Sequence, residues 1–186
     1  MKILRVINSL DIGGAERSIV DNVSKHIQNG FEMDVLVLDG KATFFKAELE
    51  KKGVKVFSLG ENNNLYNPLL IFKLIKYFRK YDIVHAHLFP TIYWVAFAKM
   101  ICFCSVKLVF TEHATHNRRR DIVILKAIEK IVYRQFSVII AISEATAANL
   151  ARHLGFNHTI NVIYNGIDLD KVREEASQTR QDVANK

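Results

Sequence analysis

The chain is short of several things at once. It has two cysteines, Cys102 and Cys104, two residues apart in an apolar segment. No further Cys or His ligand set surrounds them, which argues against a zinc site; buried, reduced thiols are expected. It also lacks a long uncharged run. The longest stretch free of Lys, Arg, Asp and Glu, Ile83 to Ala98, contains His85, His87 and Pro90 and falls short of the ~18 apolar residues of a spanning helix. The opening Met1–Asn8 has no signal-peptide apolar region or cleavage site, so a cytoplasmic location is expected. Neither G-x-G-x-x-G nor G-x-x-x-x-G-K-[ST] occurs, which removes the two commonest phosphate-loop signatures. Internal repeats and low-complexity segments are missing as well.

Acidic residues are scarce in one region. The 186 residues carry a net charge of +7, but Leu65–Ser137 holds 12 basic and 4 acidic residues, so the middle carries the whole excess. Such an imbalance informs about partners rather than fold. With 49% hydrophobic residues the chain has enough apolar content for a core, and its length suits one domain.

Short β-branched runs alternate with amphipathic stretches. Strands are predicted at Ile3–Asn8, Met33–Leu38, Val54–Leu59, Ile83–Ala86, Lys107–Thr111, Val138–Ile142 and Asn161–Tyr164. Most are continuously apolar, as strands buried on both faces of a parallel sheet are. Helices are predicted at Ala15–Gln28, Thr43–Lys51, Pro68–Lys80, Thr91–Cys102, Asp121–Arg134 and Glu144–His153. Pro68 after Asn67 reads as a first helical residue after its cap, and Gly30, Gly53 and Gly155 as helix terminators. The alternation predicts an α/β fold: a Rossmann-like, doubly wound, mainly parallel sheet of about seven strands. The domain is expected to span residues 1–172. The polar stretch 173–186 reads as a linker or tail, and the chain looks cut at a domain boundary.

Ligands bind such sheets beyond the carboxyl ends of the strands. After the first strand, Gly13-Gly14 leads into a helix, where backbone N–H groups can face an anion. At the fourth, His85 and His87 share a face; a satisfied core histidine is the commoner role, and no third metal ligand is evident. At the fifth comes Thr111-Glu112-His113-Ala114-Thr115-His116-Asn117-Arg118-Arg119-Arg120, the densest polar cluster. Its histidine can hydrogen-bond hydroxyls, and its arginines can fork onto phosphate. Ser143 reads as a helix cap. Asn165-Gly166 reads as a turn, with Asp168 placed to cap whatever helix follows.

In this order, Gly13-Gly14-Ala15-Glu16-Arg17, Asp82-Ile83-Val84-His85-Ala86-His87, Thr111-Glu112-His113, Ile142-Ser143-Glu144 and Val162–Asp168 resemble the amino-terminal half of family 4 (group 1) glycosyltransferases. These are retaining enzymes of the two-lobed GT-B fold, and the resemblance reaches about Val172. It implies sugar transfer, of hexosyltransferase type, from a nucleotide-sugar donor to a saccharide or lipid-linked acceptor in surface polysaccharide or glycolipid synthesis. The donor nucleotide and a Glu-x₇-Glu element would belong to a carboxyl-terminal lobe, without which this chain is expected to be inactive. By the same resemblance Gly13 and Gly14 approach the donor diphosphate and His113 lies by the transferred sugar. His87, Glu112 and Asn117 would border the acceptor, with Arg118, Arg119 and Arg120 beside them. No cofactor and no metal are implied. A binding module without turnover and a GT-B nucleotide-sugar epimerase are the alternatives.

Two amphipathic helices carry much of the basic excess: Lys73, Lys76 and Lys80 on one; Lys126, Lys130 and Arg134 at i, i+4, i+8 on the other, opposite Val123, Leu125, Ile128, Ile131 and Val132. Solvated lysines on packed helices and an anionic membrane surface at the inner face are both consistent with this. A nucleic-acid partner is not expected: Tyr77, Phe78 and Tyr133 have core spacing, and no recognition motif accompanies them.

Overall fold

The computed structural model describes residues 1–115, 123–155 and 159–166. Asn117, Arg118, Arg119, Arg120, Asp168 and the tail lie outside the described residues.

The chain runs β1 (Lys2–Ile7), α1 (Gly14–Gln28), β2 (Glu32–Val37), α2 (Phe44–Lys51), β3 (Val56–Ser58), α3 (Leu70–Phe78), β4 (Ile83–His87), α4 (Thr91–Cys102), β5 (Lys107–Glu112), α5 (Val123–Tyr133), β6 (Val138–Ala141), α6 (Glu144–Leu154) and β7 (Ile160–Val162). Every strand pairing is parallel, in the order β3-β2-β1-β4-β5-β6-β7. The order reverses between β1 and β4, which opens a crevice beyond their carboxyl ends.

Alternate residues of β1 and β2 feed two cores, and β4, β5 and β6 feed the first of them. Leu4, Val6, Leu36, Val84, Ala86, Leu108, Phe110 and Ile139 pack against α3, α4, α5 and α6. Ile3, Ile7, Met33, Val35 and Val37 pack against α1 and α2. Right-handed crossovers impose this split: connections leading outward on one side of β1 lie on one face, and those on the other side lie on the opposite face. Helix patterning follows suit. Leu70, Leu74 and Phe78, four apart, are the buried stripe of α3, whereas α4, flanked by α3 and α5, is apolar nearly all round.

The helix ends explain where the sequence-based boundaries shift. Asn67 Oδ1 accepts from Leu69 N–H at 3.0 Å, but i→i+3 bonds close this opening turn, so regular helix begins at Leu70 rather than Pro68. Thr43 and Ser143 act as caps, accepting from Lys46 N–H and Thr146 N–H at 3.3 and 3.2 Å. Gly30, Gly53 and Gly155 have φ of +84°, +78° and +62°, the left-handed exits expected of them.

The expectation of two separate thiols is corrected: Cys102 and Cys104 form a disulfide. Phe103 between them is left-handed, with φ +46°, which reverses the chain at the end of α4 and brings the cysteines together with their Cα atoms 5.3 Å apart. Ile131, expected on the buried side of α5, is 48% exposed and lies on the same side as Lys126 and Arg134. No helix among the described residues is long and apolar enough to cross a membrane.

Candidate active site

The turns at the crevice are tied together before any ligand is considered. Asn8, just past β1, donates from Nδ2 to the Phe89 carbonyl at 2.8 Å and accepts at Oδ1 from the Thr91 hydroxyl at 2.7 Å. Its carbonyl accepts from Asp39 N–H. One side chain thus joins the exits of β1 and β4, with a third link to the exit of β2. Leu88, directly after His87, takes up a left-handed φ of +63° to make the β4 turn.

Gly13 and Gly14 begin α1. Gly13 is the N-cap, with an extended φ of −167° open to any residue, and no side chain caps the helix. A Cβ on Gly14 would meet nothing within 4 Å; one on Gly13 would strike only the flexible carboxylate of Glu16. The chain's own geometry therefore demands glycine at neither position. That carboxylate's pKa is raised, chiefly by burial. The carboxylate also accepts from the Glu16 N–H, so within the first turn the N–H groups of Gly14 and Ala15 form the anion-facing end.

At the ends of β4 and β5 three histidines form a row. His85 and His87 share a face, with ring centroids 4.3 Å apart, and His85 Nε2 meets the Thr111 hydroxyl at 2.8 Å. His87 Nδ1 and His113 Nε2 are 3.1 Å apart, so one donates to the other. His87 Nε2 is buried without a partner. These contacts leave Nδ1 of His113 available to a ligand. The histidines pair along the row instead of converging; among the described residues no group of three or more His, Cys, Asp or Glu is arranged to hold a metal ion.

All three histidines have depressed pKa values. Burial is the main cause at each, and the Arg5 guanidinium adds to it; His113 falls to about 4. At neutral pH this leaves the row uncharged, and His113 is a neutral imidazole.

Glu112 was expected to border an acceptor. It is instead 5% exposed, and its side chain points to the helix-covered face. Its Oε1 accepts from Ala114 N–H at 3.0 Å and its Oε2 from the Tyr133 hydroxyl at 3.2 Å. Alternation along β5 puts it opposite Thr111 and His113, so it braces the loop carrying His113. Beside it, Glu129 accepts from the Tyr93 hydroxyl and from His153 Nε2, a buried pair linking α4, α5 and α6.

From the His87–His113 pair a trough of about 320 Å³ runs beside α1 along a face of the sheet that no helix among the described residues covers. Arg5, Ser18, Asn22, His26, His85 and Thr111 line it, with Tyr164 and Asn165 at its rim. Reasoning from sequence singled out neither Arg5 nor the α1 residues. A signal existed for the first: an arginine inside Ile3-Leu4-Arg5-Val6-Ile7, a run otherwise fit only for a core.

A sequence model of Glycosyltransferase Family 4 matches residues 12–171. The chain belongs to glycosyltransferase family 4. Among solved structures, Anabaena Alr3699/HepE in complex with UDP-glucose is 25% identical, with a TM-score of 0.77 over 99% of this chain and 50% of that one. A glycosyltransferase from Rickettsia africae ESF-5 is 18% identical, with a TM-score of 0.70 over 91% and 44%. An alpha-glucosyltransferase in complex with UDP and a 13-mer DNA containing a HMU base is 16% identical, with a TM-score of 0.61 over 93% and 44%; this and the preceding likeness show the fold alone. The family 4 domain spans about half the length of these structures and forms one lobe of the GT-B architecture. No curated protein matches it.

The histidine row makes stability depend on pH. Each imidazole has a folded pKa below its unfolded value near 6.5, so its stabilising contribution is complete above that pH and is lost as pH falls toward the folded value. Urea unfolding is expected to show a midpoint that drops from pH 7 to pH 4, with His113 accounting for up to about 3 kcal/mol. His113→Asn is expected to flatten that dependence; an unchanged slope would contradict the assignment.

Proposed function

We propose that the chain is the acceptor-side lobe of a retaining glycosyltransferase of hexosyltransferase type. It would move a sugar from a nucleotide-sugar donor to a saccharide or lipid-linked acceptor in surface polysaccharide or glycolipid synthesis. The domain occupies residues 1–172, and 173–186 lead toward a donor-binding lobe. The observation that carries this reading is the pairing of two strand ends. A neutral His113 with an available Nδ1 stands at β5, and a Gly13-Gly14 turn that internal sterics do not explain stands at β1. Close backbone approach by a diphosphate gives those glycines a reason, and His113 can then hydrogen-bond a hydroxyl of the transferred sugar. Alr3699/HepE, crystallised with UDP-glucose, supports the donor class. His87 positions His113 through their shared hydrogen bond, and Asn117 with Arg118, Arg119 and Arg120 would continue the acceptor side. Neither metal nor cofactor is needed, because helix N–H groups and basic side chains answer the phosphate charge.

The test joins this lobe to a carboxyl-terminal α/β lobe carrying Glu-x₇-Glu and screens nucleotide sugars. Transfer or hydrolysis is expected with at least one donor, and His113→Ala should lower kcat/KM on the order of 10²–10³-fold. A folded two-lobed protein inert toward every donor would contradict the reading and favour a module that binds without turnover.

The working location is the inner membrane face. Lys76 on α3 and Lys80 just after it, Lys126 on α5 and Arg134 just after it, and the partly exposed Lys130 supply the charge. Lys73 contributes less, since its ammonium donates to the Leu59 carbonyl at 2.8 Å. Apolar side chains on α3, α4 and α5, at the cap of α3 and in the turn after α4 stand out in solvent: Phe72, Met100, Ile101, Ile131, Leu69 and Phe103, the last 94% exposed. Cations beside protruding aromatics suit an anionic bilayer. Sedimentation with anionic vesicles in low salt is expected, with little on neutral ones. Loss on Phe72→Ser/Phe103→Ser would support the surface; equal binding to both vesicle types would refute it.

A further inference from the structure

We propose that Arg5 anchors an anion-binding site inside the trough, taking a phosphate or carboxylate group between β1, α1 and the turn after β7. Arg5 is 6% exposed, on the interior strand β1, with its guanidinium facing the trough. Its Nε is buried without a partner, and no hydrogen bond or ion pair reaches the guanidinium from any other described residue. Among the described residues, the trough lining contains no aspartate or glutamate. A buried cation without a counter-charge is among the costliest arrangements a core can hold, and a bound anion removes that cost.

The surroundings fit an anion in other respects. Ser18, Asn22, Tyr164 and Asn165 line the same space and offer neutral donors. Among the described residues the facing titratable groups are His85 and His87 on β4, His113 after β5, His26 on α1 and Tyr164 after β7, with no carboxylate among them. Burial has lowered the Arg5 pKa to about 10, which still leaves it charged there. A trough of about 320 Å³ has room for a phosphate and its waters, given roughly 30 Å³ per water. Arg5 pairs in register with His85, one step deeper along the face than His87. The site is thus separate from the helix end at Gly13-Gly14, and it stands on its charge whether or not the chain transfers sugar.

Binding there has a readout at a distance. An anion on Arg5 offsets the positive charge that helps depress His113, so the His113 pKa must rise when the site fills. The experiment titrates inorganic phosphate, and in a parallel arm malonate, into the 186-residue chain. It follows the His113 ring by NMR and the thermal midpoint. Saturable binding of either anion with an upward shift of the His113 pKa supports the site, and the tighter arm identifies the group it prefers. Arg5→Met should weaken binding at least tenfold and raise the thermal midpoint of the unliganded chain. Arg5→Lys, which keeps the charge but loses the fork, should bind with intermediate affinity and serves alone if Arg5→Met does not fold. Absence of saturable binding, binding unaffected by both substitutions, or a lowered midpoint in a folded Arg5→Met would each overturn the proposal.

Discussion

The handedness of parallel crossovers governs this domain. Once β1 lies inside the sheet between β2 and β4, connections on one side of it must cover one face and those on the other side the opposite face. The outcome is unequal: two helices against four. β4, β5 and β6 are sealed below by α3, α4, α5 and α6, while their upper face is left as a trough beside α1. Arg5, His85, His87, Thr111 and His113 all project onto that face, because strand alternation places them there. The same reversal of strand order opens the crevice where the Gly13-Gly14 turn and the His87–His113 pair stand.

The polar groups of the domain sort onto the two faces by what they have to satisfy. Below the sheet, Glu112 and Glu129 are closed into hydrogen bonds with Tyr133, Tyr93, His153 and a backbone N–H, so their burial is compensated and rigidifying. Above it, Arg5 and Nε2 of His87 are buried and unanswered. A molecule that satisfies one set of buried groups and leaves the other set open marks the open set as the place where something binds. Burial there also keeps the imidazoles neutral, which suits His113 to orienting a hydroxyl rather than to general acid chemistry.

Much of this was legible in the residues. All seven strands and six helices came from apolar continuity and helical spacing, and the terminating glycines came from their position after each amphipathic run. The pairing of His85 and His87 on one face followed from their spacing. What escaped depended on tertiary facts. Glu112 and His113 are adjacent in sequence, yet alternation sends them to opposite faces, so a motif that names both cannot say which one meets a ligand. Cys102 and Cys104 read as separate thiols because a left-handed Phe103 has no sequence signature. Ile131 fits either side of α5 by periodicity, and only packing exposes it. Arg5 was overlooked because its neighbours call for a core strand, and the exception within that run carried the information.

The most direct measurement is an NMR amide map of this lobe joined to a donor-binding lobe, with millimolar UDP-glucose. The largest shifts should fall on the backbone amides of Gly13, Gly14 and Ala15 and on the His113 ring, where the start of α1 and an available imidazole nitrogen meet the crevice. Shifts that leave these groups in place and gather elsewhere, such as the hollow between Tyr81 and Ser105 at the opposite end of the sheet, would contradict the site.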